Sequence, residues 1–150
     1  MKIMVFVQKF FCALIFCLLS FSVSGAETIE GVWLNEDGDG WIELRISNGE
    51  LRGVIAGSPD DPERLRPPRL DVENPDPALR DRELFGMQIL YGFHRETAGR
   101  WGGGRVYDPN NGNTYRGTIT LVNVNTLRLR GFIGLSLFGR TEVWTRQKPY

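Results

Sequence analysis

The chain has 150 residues, 18 basic against 18 acidic side chains, a formal net charge of zero, one histidine and two cysteines. That length suits one domain and is too short for two separate cores. The balanced charge lacks the basic excess of a nucleic-acid binder. Two cysteines and one histidine exclude a multi-bridge disulfide framework and a multi-histidine metal centre.

Lys2 and Lys9 precede an apolar run from Phe10 to Val23, which ends at the small residues Ser24, Gly25 and Ala26. This is the three-part layout of a secretory signal peptide. At 14 residues the run is shorter than a spanning helix, which needs roughly 20. We therefore expect a cleaved signal over residues 1–26 and a single domain over 27–150, periplasmic or secreted and without stable membrane insertion. A retained anchor is the alternative. Both cysteines, Cys12 and Cys17, would leave with the signal, together with Lys2 and Lys9. The mature domain would then have no thiol and two more acids than bases, so its stability has to come from its core.

Strand signals begin at Gly31–Leu34 and continue at Trp41–Ser47, where Ile42, Leu44 and Ile46 alternate with Trp41, Glu43 and Arg45. A period of two marks a half-buried strand. Asn48 and Gly49 accept the positive φ angles of a two-residue hairpin turn, after which Leu51, Gly53 and Ile55 resume the alternation. From Gly57 to Gly86 the periodicity stops. Six of the chain's eight prolines fall in this segment, and Asp76 and Pro77 are placed to start one helical turn. Loops of this length are lids, binding loops or linkers. Strands return at Met87–Phe93, Arg100–Tyr107, Thr114–Val122, Thr126–Ile133 and Arg140–Arg146, with short turns between most of them. About eight strands joined by hairpins predict an all-β, antiparallel up-and-down barrel with one long proline-rich loop. A two-sheet sandwich is the runner-up. Gly102, Gly103, Gly104, Gly117 and Gly131 fall where barrel strands bend.

A series of residues carries a resemblance: Asp71, Asn74, Pro75, Arg80 and Gly86; Trp101, Gly103, Gly104, Tyr107, Asp108, Pro109, Gly112 and Tyr115; and Leu129, Gly131, Gly139, Trp144 and Arg146. With it the chain resembles the bacterial domain-of-unknown-function family 2147, over about Ile29 to Arg146. The resemblance implies export and a lipocalin-like barrel, and it implies no activity, substrate or catalytic residue. Gly31, Val32 and Trp33 in the first strand and Arg146 in the last are also similar to the lipocalin, or calycin, superfamily. There a tryptophan closes the barrel floor and an arginine packs across it, a favourable cation–ring contact.

No GxSxG elbow, phosphate-binding glycine loop or HExxH pair is present, and no motif calls for a cofactor. His94 reads as an exposed histidine near a turn. Asp37–Gly40 begins like a calcium loop, but Asn48 stands at its twelfth position where a glutamate is needed, so a turn is the better account. Asp108, Asn110, Asn111 and Asn113 could offer oxygens to a cation, yet the same residues serve turns; no metal site is assigned.

Asp71, Asn74, Asp76 and Arg80 in the long loop can either pin it to the barrel or present polar groups to a ligand. We expect the loop to be ordered, with Arg80 paired to Asp71 or Asp76 and Asn74 bonded to backbone. Trp101, Tyr107 and Tyr115 are candidates to line a cavity, with core packing as the alternative. The function expected is non-enzymatic binding of a small apolar ligand. The rival is an envelope interaction module with a filled barrel and a protein partner that the sequence does not name. An enzyme using carboxylate, Tyr, Arg or Ser ranks third.

Overall fold

A computed structural model of the chain describes residues 28–134 and 139–148; the expected signal segment lies outside the described residues. Eight strands follow one another: β1 (Gly31–Leu34), β2 (Trp41–Ser47), β3 (Glu50–Gly57), β4 (Gln88–Thr97), β5 (Arg100–Asp108), β6 (Asn113–Asn123), β7 (Thr126–Phe132) and β8 (Gly139–Arg146). Each pairs antiparallel with the next, and β8 returns to β1 through Trp33 opposite Arg146 and Leu34 opposite Thr145. The sheet is therefore a closed up-and-down barrel and has no free edge, which removes the sandwich alternative.

Local sequence explains the turns. Asn48 and Gly49 both take positive φ, 52° and 77°, as a two-residue β2–β3 hairpin with this twist requires. In the long loop, Asp76 Oδ1 accepts from the Ala78 amide at 2.9 Å and caps a 3-10 turn over Pro77–Leu79. β4 runs beyond the expected Phe93 to Thr97. His94 is consequently an exposed strand residue opposite Glu50 and Gly102, and does not sit at a turn.

The barrel is packed in one half and open in the other. Trp33, Leu44, Leu51, Leu90, Phe93, Trp101, Ile119 and Leu127 fill the end that carries the β2–β3, β4–β5 and β6–β7 turns. Two of the strand glycines make room for this core, a more specific task than bending a strand. A Cβ on Gly104 would overlap the Phe93 ring, and one on Gly117 would stand 2.8 Å from its Cζ. Removing two side chains lets one phenyl ring fill the centre at ordinary packing density.

Candidate functional site: the open end of the barrel

The floor beneath the packed half sets the frame. Trp33 is fully buried, and its indole N–H donates to the Ile29 carbonyl at 2.9 Å. Arg146 lies over that ring, 4.2 Å from its centre, and donates to the carbonyls of Glu30 (2.6 Å), Thr28 and Val124. Burial lowers the Arg146 pKa from its ordinary value. Gly31 is required here twice over, because its φ is +128° and a Cβ would stand 2.8 Å from Arg146 Nη1. Ring, guanidinium and glycine thus seal the end opposite the cavity.

The long loop reaches the barrel through one buried carboxylate. Asp71 is fully buried, and it accepts from Tyr107 Oη at 2.6 Å, Asn74 Nδ2 at 2.7 Å and Arg82 Nη2 at 2.7 Å. Burial pushes the Asp71 carboxyl up, but the three donors outweigh it and hold the group below the usual carboxylate range. The same environment raises the Tyr107 phenol to about 12, by burial first and then by the neighbouring carboxylate. Tyr107 is buried where the long loop meets β5, and it is also among the residues that line the cavity at this end.

Two further contacts hold the loop. Main-chain bonds from Asp71 to Arg82 and from Leu84 to Arg69, with the bridge Leu70–Glu83, fold it back on itself. The β5–β6 turn then packs against it so closely that a Cβ on Gly112 would overlap the Glu73 carbonyl.

Above the packed half, the β1–β2 turn, the long loop, the β5–β6 turn and the ends of β7 and β8 surround an open cavity of about 1360 Å³. Ile42, Ile55, Ile89, Val106, Leu129 and Trp144 supply its apolar lining, and charged side chains supply its rim. On β8 the period of two puts Arg140, Glu142 and Trp144 in that lining. Glu142 Oε2 accepts from the Trp144 indole at 2.9 Å. In the loop, the Arg64 guanidinium stacks 3.6 Å above the centre of the Phe85 ring, and both residues border the opening.

The family described as "Uncharacterized protein conserved in bacteria (DUF2147)" matches residues 31–146. The chain belongs to that family. No curated protein matches it. Among solved structures, a protein of the human pathogen Helicobacter pylori, described as belonging to the lipocalin family, is similar with a TM-score of 0.72. The two share 21% identity over 81% of this chain and 84% of that one, and the likeness is one of fold.

The structure brings Asp71, Asn74, Pro75, Tyr107 and Gly112 together at one contact between loop and barrel. Asn74 does bond backbone, its Oδ1 accepting from the Asp76 amide at 2.9 Å. The expected pairing of Arg80 with Asp71 or Asp76 is corrected. Arg82 is the partner of Asp71, and Arg80 Nε donates to the Asn74 carbonyl at 2.8 Å. The strand-like return of the loop places Arg82 directly beside Asp71, whereas Arg80 follows the 3-10 turn on the exposed side.

Trp101 is also corrected as a cavity candidate. It lies in the packed half, 2% exposed, with the Arg95 guanidinium 5.4 Å from its ring centre. Tyr115 lines the cavity, and its hydroxyl accepts from Asn111 Nδ2 at 3.1 Å. Asp108 closes the β5–β6 turn at the rim by accepting from Asn110 N and Asn111 Nδ2. Arg82, Glu142 and Trp144 were not among the expected site residues. For the last two the signal was present: Arg140, Glu142, Trp144 and Arg146 alternate on one face of the final strand, and a carboxylate on an inward face needs a partner.

Proposed function

We propose that the chain is an exported, non-enzymatic calycin-like carrier that holds a small, largely apolar ligand at the open end of its barrel. The observation that carries this reading is the half-filled interior. A closed module with no ligand would gain by extending the packed core upward, yet an open cavity of about 1360 Å³ with an apolar floor remains above Phe93. Sites of this kind combine apolar walls with a few polar groups that orient the ligand. Export is supported by the layout of residues 1–26, and the family and fold comparisons are consistent with a lipocalin-like carrier.

The test is titration with the dye N-phenyl-1-naphthylamine, which brightens in apolar sites, joined to native mass spectrometry of protein purified from the cells that make it. Saturable brightening and a co-purifying small molecule are the expected results. If neither appears and a protein partner co-purifies instead, the interaction-module reading replaces this one.

A further inference from the structure

The cavity has a polarity of its own. Among the described residues, seven carboxylates and four arginines line it. The four arginines offset only part of the seven acids, and Arg140 is shared among three acids, with Nη2 at 3.4 Å from Glu36 and 3.7 Å from Asp37 and Nε at 3.8 Å from Glu142. One guanidinium facing three carboxylates leaves that side of the mouth negative. A concave site with low-dielectric walls concentrates such a field.

Glu142 is the acid best placed to use it. It sits one strand step above the buried Trp144, whose N–H holds Oε2, and opposite Leu129 in the apolar wall. Among the described residues, Oε1 meets Arg140 Nε at 3.8 Å, a long contact. Trp144 and Tyr115 line the same cavity, and the face of an aromatic ring attracts a cation.

We propose that the ligand is an amphiphile with a cationic head, such as a primary amine. The head sits at Glu142 between aromatic rings, and the chain lies along Ile42, Ile55, Val106 and Leu129. This rests on the carrier reading above and adds the class of ligand. An anionic amphiphile would bring its charge to the acidic side of the mouth, and a neutral one would gain nothing from Glu142.

Decylamine, decanol and decanoate carry the same chain with a cationic, neutral or anionic head at pH 7. Their binding to the full mature chain is measured by calorimetry and by displacement of N-phenyl-1-naphthylamine. The expected result is decylamine at least about tenfold tighter than either of the others, a gap of about 1.4 kcal/mol. In Glu142→Gln, which keeps an oxygen for the Trp144 N–H, the ratio of amine to alcohol affinity should fall toward one. Equal binding of all three, tighter binding of decanoate, or an unchanged ratio in a folded Glu142→Gln protein overturns the cationic class and leaves the carrier reading standing. Failure of all three, together with failure of the dye, overturns both.

Discussion

Tyr107 donates its hydroxyl to Asp71 at 2.6 Å across 36 positions of sequence, and this bond joins the long loop to the barrel wall. Tyr107→Phe removes one of the three donors of a fully buried carboxylate. The expected loss of stability is about 1–3 kcal/mol, the cost of leaving a buried polar group short of a partner. Arg82→Ala should cost less, about 1 kcal/mol or under, because its side chain is 44% exposed and water screens the pair. Denaturant melts of the two variants check the order, and a larger loss for Arg82→Ala would contradict it.

The same pair gives two pH limbs of opposite sign. Asp71 is held below the ordinary carboxylate range in the folded chain, so its contribution is present above that range and is lost as pH falls through the lower folded value. Tyr107 is raised to about 12, so its contribution is complete below the ordinary phenol value of 10.0 and is lost as pH climbs from there toward 12. An ultraviolet titration of the tyrosines should show a late phenol in the native protein that is lost in Tyr107→Phe. Asp71→Asn should flatten the acid limb of stability.

The floor makes a third prediction. Trp33→Ala should cost about 3–5 kcal/mol, as large aromatic truncations in cores do. Arg146→Ala should cost less, since it removes a cover and three carbonyl contacts without emptying the core. Gly31→Ala brings a methyl against Arg146 Nη1, so a double variant with Arg146→Ala should lose less than the two singles added together. Strict additivity in thermal melts would show that the guanidinium does not press on Gly31.

How far the sequence led follows from the kind of signal each feature leaves. The β2–β3 hairpin was legible because alternation and the Asn48–Gly49 pair are both local. The floor was legible because Gly31, Trp33 and Arg146 occupy the first and last strands. The choice between Arg80 and Arg82 was not, since an irregular loop has no period to say which arginine faces Asp71. Nor was the fit of Phe93 against Gly104 and Gly117. It depends on the register of three strands, and the irregularities between Arg95 and Thr97 in the β4–β5 pairing and between Trp101 and Gly104 in the β5–β6 pairing shift that register beyond what alternation can track.

The contact at Gly112 supplies the last prediction, because it separates backbone strain from loop anchoring. Gly112 has a φ of +70° and a Cβ there would overlap the Glu73 carbonyl, while Gly38 has nearly the same φ, +75°, with nothing within 4 Å. Alanine at Gly38 therefore costs only the left-handed conformation, about 1–2 kcal/mol. At Gly112 the same strain is joined by a collision with the main chain of the loop, which has to move away or distort. Trypsin reads the difference, since Arg69, Arg80 and Arg82 lie in the segment that Asp71 and Gly112 hold down. Cleavage after these arginines should speed up at least about tenfold in Gly112→Ala and stay near the parent rate in Gly38→Ala, as expected when local opening governs proteolysis. Equal acceleration in both variants would mean that the loop is held by the stability of the whole barrel, and that the turn carrying Gly112 is not its clamp.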